Sequence, residues 1–290
     1  MRRAVLLALC VVLAIAVAGC GKKEKKAVAG TKPGAWYVAL GDSGTSGPGI
    51  TPVADAGCVR SAVNYPHLLA KKLDVPSFTD VSCGGAKTQN VLTKPQTNKG
   101  GEHPLQLAAV GKSTRLVTIG IGLNDYGLSY LLLYQCLETG GKTNKGCQTY
   151  LDAPDANFAP YLDRIGDNVT AVVKAVRTKA PKARVVLIGY PRYLPDTGSC
   201  PALVPMPEKA LERARTVLAD VTARYRRIAA ETGALFADTY DASTGHDVCS
   251  ADPWVHGIDG SATDGAQLHP YPAYHRAVAD LVADLLEKKQ

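Results

Sequence analysis

No two cysteines in this chain are spaced CxxC, so the usual local signature of a zinc or dithiol redox site is missing. The stretch Gly41-Asp42-Ser43-Gly44-Thr45 lacks the second glycine of GxSxG, which excludes the nucleophile elbow of α/β-hydrolases. There is no internal repeat and no linker marking a second domain. Net charge is +7, but Arg2, Arg3, Lys22, Lys23, Lys25 and Lys26 crowd the start of the chain. The remainder is close to balanced and carries no nucleic-acid footprint. The apolar run Ala4 to Ala18 is shorter than the roughly 20 residues a spanning helix needs.

What is present is a chain of 290 residues, 46% hydrophobic and 20% charged, long enough for a sizeable core. Its start reads as a targeting segment: a basic Arg2-Arg3 pair, the apolar run, then Val17-Ala18-Gly19-Cys20. Cysteine straight after "VAG" resembles the bacterial lipobox, in which that cysteine is lipidated and becomes the mature N-terminus. The division expected is residues 1–19 as lipoprotein signal, 20–33 as lipidated Cys20 with a flexible basic tether, and 34–290 as one folded domain. A plain secretory signal or a membrane anchor helix is the alternative. Localisation follows: anchored by lipid on the extracytoplasmic face of the cell membrane, or secreted.

With Cys10 in the signal and Cys20 the lipid site, six cysteines remain: Cys58, Cys83, Cys136, Cys147, Cys200 and Cys249. An even number in an exported chain points to disulfides, though spacing does not choose the pairing.

Short apolar runs alternate with helical patterns. Strands are expected over Trp36–Leu40, Phe78–Ser82, Leu116–Gly120, Val185–Gly189 and Ala234–Asp238, and helices over 156–179, 208–232 and 271–286. Alternation of this kind predicts an α/β fold with a mostly parallel sheet covered on both faces. A long insertion near 127–155 carries two cysteines. In such sheets ligands bind beyond the carboxyl ends of the strands. The groups found there are Gly41-Asp42-Ser43, Cys83-Gly84-Gly85-Ala86 and Gly120-Ile121-Gly122-Leu123-Asn124-Asp125, with Leu268-His269-Pro270 ahead of the last helix. Ser43 can act as nucleophile if His269 takes its proton. The N–H groups of Ser43 and Gly85 and the Asn124 amide are candidate oxyanion donors.

"GDS" at 41–43, "GGA" at 84–86, "GxND" at 122–125 and "HP" at 269–270 resemble the four blocks of the GDSL, or SGNH, hydrolases. "CVRSAVNYPHLLA", "VTIGIGLND", "VVLIGYPR" and "TGHDVCSADPWVH" are similar to the secreted bacterial lipase/esterase branch. The resemblance covers almost the whole mature chain. It implies a flavodoxin-like three-layer α/β/α sandwich, often with strand order 2-1-3-4-5, and an esterase that needs no metal or other cofactor. By position it makes Ser43 the nucleophile, Gly85 and Asn124 the oxyanion donors and His269 the base, with Gly84 a rival to Gly85. It also implies disulfides between neighbours: Cys58–Cys83, Cys136–Cys147 and Cys200–Cys249.

One departure stands out. The family's common pattern has Asp three residues before the histidine; here that position is Ala266, and Asp264 lies five before. Either Asp264 or a main-chain carbonyl near Ala266 orients His269, and the spacing favours the carbonyl. The resulting expectation is a lipid-anchored serine esterase or lipase, monomeric, acting on an ester or lipid substrate. A cell-wall glycan O-acyl esterase or acyltransferase is the nearest rival, and a non-catalytic ligand-binding surface lipoprotein the rival of another class.

Overall fold

A computed structural model describes residues 33–138, 142–152 and 158–288. The signal segment, Cys20 and nearly all of the tether lie outside these residues, as do 153–157, which include the expected start, at residue 156, of the first of the three helices.

Five strands form the central sheet: β1 (Tyr37–Gly41), β2 (Phe78–Asp80), β3 (Leu116–Gly120), β4 (Arg184–Ile188) and β5 (Leu235–Ala237). All neighbours are parallel and the order is β2-β1-β3-β4-β5. Strands β1 and β3 are buried at every residue, which is why they read as continuous apolar runs rather than alternating ones. Successive side chains still divide between the two faces. Tyr37, Ala39, Leu116, Val186 and Ile188 belong to one core cluster. Val38, Leu40, Val117, Ile119, Val185 and Leu187 belong to the other.

The first cluster is covered by α1 (Tyr65–Lys72) and α4 (Pro272–Glu287), the second by α2 (Ala159–Lys179) and α3 (Glu208–Thr232). The stripe Leu162, Ile165, Val169, Val172, Val173 and Val176 is the buried face of α2. Helix α1 starts where the Asn64 side chain accepts from His67 N–H at 3.3 Å. Helix α3 stops at Gly233, whose φ of 68° is the left-handed conformation that closes a helix at little cost to glycine.

Strand β3 matches its expected span, and the other four differ by one or two residues at their ends, because pairing rather than composition sets where a ladder stops. Two short antiparallel ladders, Val53–Asp55 with Arg60–Ser61 and Gln96–Asn98 with Gly101–His103, lie outside the central sheet. Disulfides join Cys58 to Cys83, Cys136 to Cys147 and Cys200 to Cys249. The second closes the insertion after β3; the third ties the loop before α3 to the one before α4.

Candidate active site

Gly41 and Gly120 end β1 and β3 in register with each other. A Cβ at either would come within 2.2 or 2.5 Å of Thr45 Oγ1. Glycine at both ends therefore lets the one-turn helix Ser43–Ser46 lie down across the sheet edge. Asp42 caps that turn: its Oδ1 accepts from Gly44 N–H at 2.9 Å. Ser43 thus stands at the first position of the turn, half-buried, with its own N–H unpaired among the described residues.

Asp42 is itself buried, and its second oxygen accepts from Tyr190 O–H at 2.5 Å. Burial pushes the carboxyl up to about 7, against the opposing effect of these hydrogen bonds. The Tyr190 oxygen accepts in turn from Leu123 N–H at 3.1 Å. A chain of hydrogen bonds therefore links the residue before Ser43 to the residue before Asn124. Tyr190 was not among the sequence candidates. It follows β4, at the same carboxyl rim as the groups after the first three strands.

Gly84 and Gly85 differ sharply. Gly84 N–H donates to the Cys58 carbonyl at 2.9 Å, and a Cβ there would sit 2.4 Å from Val59 Cγ2. Gly85 has φ of 74°, a left-handed conformation that favours glycine. A Cβ on it would meet no described atom within 4 Å, and its N–H has no described acceptor. Cys83 N–H donates to Gly41 O at 3.0 Å, and with the Cys58–Cys83 bond this fixes the turn beside Ser43.

The Asn124 amide is oriented at both ends. Its Oδ1 accepts from Ser129 O–H at 2.7 Å, and its Nδ2 donates to Ala86 O at 3.1 Å. One Nδ2 hydrogen remains. Asp125 faces the interior, where it accepts from Thr88 N–H at 2.9 Å, Thr88 O–H at 2.5 Å and Asn168 Nδ2 at 2.9 Å. Asp125 therefore pins the loop to its neighbours and leaves Asn124 on the cleft side.

His269 Nδ1 lies 2.8 Å from the Gln267 carbonyl. A carbonyl only accepts, so Nδ1 carries the hydrogen and Nε2 the lone pair. Burial lowers the pKa of this ring, the Gln267 bond opposes that, and His256 lowers it further. Asp264 faces elsewhere: its Oδ1 is 3.4 Å from His256 Nε2.

Ser43, Gly85, Asn124 and His269 all line one cleft of about 270 Å³. Leu123, Leu133, Tyr134, Tyr193 and Leu268 supply its apolar wall. Among the described residues, one group has metal-ligand atoms close together: Cys58, Cys83 and His103. Its two sulfurs are bonded to each other, so neither is a thiolate.

A parallel five-stranded sheet between helices, with serine, glycine, asparagine and histidine collected at its carboxyl rim, defines an SGNH-type hydrolase. The sequence matches the GDSL-like Lipase/Acylhydrolase family over residues 39–277, and the chain belongs to that family. It is 37% identical over 226 residues to Lipase 2 of Streptomyces coelicolor, covering 74% of this chain and 73% of the relative. It is 32% identical over 225 residues to a lipase of Streptomyces rimosus, covering 77% and 76%. The crystal structure of phospholipase A1 from Streptomyces albidoflavus superposes with a TM-score of 0.68 at 29% identity, over 89% of this chain and 100% of that one. The extracellular lipase of Streptomyces rimosus gives 0.70 at 29%, over 86% and 98%. The protein is a carboxylic ester hydrolase.

Proposed function

We propose that Ser43 and His269 hydrolyse carboxylic esters through an acyl-enzyme. Ser43 Oγ attacks the carbonyl carbon while its proton passes to His269 Nε2. The N–H groups of Ser43 and Gly85 and the free Nδ2 hydrogen of Asn124 receive the developing oxyanion. The intermediate collapses, and the alcohol leaves with the proton from Nε2. Water then attacks the acyl carbon, giving its proton to the same nitrogen, and the acid departs as Ser43 is restored. Gly84 is not the donor in this reading, since its N–H is already spent on Cys58. Nor is Asp264 the third member; the Gln267 carbonyl holds the imidazole. The apolar wall suits the acyl chain of a lipid-like ester.

One observation carries the reading: a single cleft holds Ser43 and His269 with unpaired N–H donors, and the far nitrogen of His269 is already occupied. The test is labelling by a fluorophosphonate, which reacts only with an activated serine. Wild type is expected to be labelled and Ser43→Ala to be both unlabelled and inactive while folding normally. Labelling of a folded Ser43→Ala protein, or more than a few per cent of its turnover retained, would remove Ser43 as the nucleophile.

The same proposal places the enzyme outside the cytoplasm, held by a lipid on Cys20 at the extracytoplasmic membrane face. Its support is the "VAG" stretch before Cys20, the basic tether, three disulfides, and the extracellular description of the Streptomyces rimosus lipase. Cys20→Ser is expected to release the processed protein from membranes; retention of the processed form would refute the anchor.

A further inference from the structure

The two ends of the sheet differ in chemistry. At the carboxyl end lies the cleft. At the amino end, the loops entering β3 and β4 carry Lys112, Arg115 and Lys182, α2 ends on Lys179, and β4 opens on Arg184. A pocket of about 500 Å³ opens there, walled by Trp36, Leu116 and Leu286 and edged by Arg115, Lys182 and Arg184. No carboxylate lines it.

No carboxylate faces these three cations in the pocket. Among the described residues none of them forms an ion pair. Arg184 donates to the Leu286 and Leu285 carbonyls at 2.7 and 3.4 Å, and Arg115 to those of Lys112 and Thr114 at 3.0 and 3.1 Å. Carbonyls hold the two guanidinium groups in place without neutralising them. Lys112 and Lys182 are exposed, and Trp36, which shares the pocket with Lys182, is half-buried.

The chain enters the domain at this same end. Gly34 N–H donates to Ala109 O at 2.9 Å, and Ser113 O–H donates to Gly34 O at 2.6 Å. Both contacts fall on the stretch that leads into β3. The preceding tether adds Lys22, Lys23, Lys25, Lys26 and Lys32. Clustered cations flanking an apolar pocket with a half-exposed tryptophan match an anionic lipid interface: cations meet phosphates, and the indole lies at headgroup depth.

We infer that the amino end of the sheet docks on an anionic phospholipid surface, so that the cleft opens away from that surface toward substrate arriving from the far side. The orientation rests on the proposed cleft; the docking itself does not, nor does it require a lipid on Cys20.

The test uses the mature chain, residues 20–290, carrying Cys20→Ser, so that neither an acyl group nor the apolar run Ala4 to Ala18 contributes. Its partition is measured by cosedimentation with vesicles of phosphatidylcholine containing one-third phosphatidylglycerol, and with phosphatidylcholine alone. Preference for the anionic vesicles is expected. Lys112→Gln/Arg115→Gln/Lys182→Gln should weaken that partition by on the order of a hundredfold, about fivefold for each cation removed. Lys182→Gln alone, at an exposed side chain, should give about fivefold and guards against a misfolded triple variant. Equal partition of parent and folded variants would overturn the inference, as would loss confined to a variant with the tether lysines 22, 23, 25 and 26 replaced by Gln. Vesicle-bound parent should hydrolyse a soluble p-nitrophenyl ester as fast as free parent. Occlusion on binding would overturn the orientation, whereas inactivity of the free enzyme would count against the esterase reading and leave the docking result standing.

Discussion

Asp42 adjoins Ser43, and its buried carboxyl titrates near 7 rather than at its ordinary 3.8. Between about pH 4 and about pH 7 the folded protein therefore holds a proton there that the unfolded chain has lost. Stability from this group is complete below about pH 4 and declines as pH rises through 7. A shift of about three units corresponds to about 4 kcal/mol. His275 works in the opposite sense. Its ring is fully buried, its Nδ1 accepts from Tyr65 N–H at 3.1 Å, and burial lowers its pKa to about 3. Below pH 6.5 the unfolded chain gains a proton that the folded one refuses, so its contribution rises with pH over roughly the window in which that of Asp42 falls. Wild-type stability should therefore vary less with pH than either group alone dictates. Asp42→Asn removes one side of the opposition. Urea unfolding of both proteins from pH 4 to pH 7.5, disulfides intact, should show the stability of the variant relative to wild type increasing by about 4 kcal/mol. The lowered pKa values of His67 and His269 cancel in this difference. A difference constant to within about 1 kcal/mol would refute the account of Asp42.

Three further outcomes are expected. Tyr190→Phe strands the buried Leu123 N–H and removes a donor from Asp42; it should cost about 2–4 kcal/mol in urea unfolding and lower kcat more than it changes KM. Unaltered stability and kcat would show that the link between the Ser43 and Asn124 turns is idle. Asn124→Ala should lower kcat by on the order of 10²–10³, and a loss confined to KM would indicate ground-state binding instead. Asp264→Asn should leave kcat within about tenfold, because that carboxylate faces His256; a fall of roughly 10⁴ in a folded variant would make Asp264 the orienting acid.

Much of this is legible in the sequence alone. Strands β1, β3 and β4 could be found because burial on both faces makes them nearly uninterrupted apolar runs, and the helices because α2, α3 and α4 carry apolar stripes at helical spacing. The parallel topology then put the residues after β1, β2 and β3 on one rim. What stayed hidden depends on where hydrogen bonds go. Gly84 and Gly85 are indistinguishable as letters, yet one N–H is spent on Cys58 O and the other has no acceptor among the described residues. The two short ladders are only two or three residues long, too short to carry a periodic pattern. Tyr190 reads as an ordinary aromatic after a strand. Its role needs Asp42 and Leu123, at sequence distances of 148 and 67, to be neighbours.

The histidine loop shows why a missing aspartate need not mean a missing orienter. Leu268 adopts φ of 56°, a left-handed conformation unfavourable for a branched side chain. Such a residue is held only where its surroundings over-determine it. Here they do: Leu268 N–H donates to Gly257 O at 3.0 Å, His269 N–H to Ala266 O at 3.0 Å, and His256 N–H to His269 O at 2.9 Å. The kink lies between Gln267 and His269, the two residues whose carbonyl and Nδ1 are paired at 2.8 Å. A carboxylate in that place would bring a full negative charge to steady the imidazolium, at the price of burying it. A carbonyl brings only a dipole, and it is already fixed by the backbone. The ring is then held in one tautomer by geometry rather than by charge. Its basicity is left to burial and to His256, both of which favour the neutral ring that the proposed base requires.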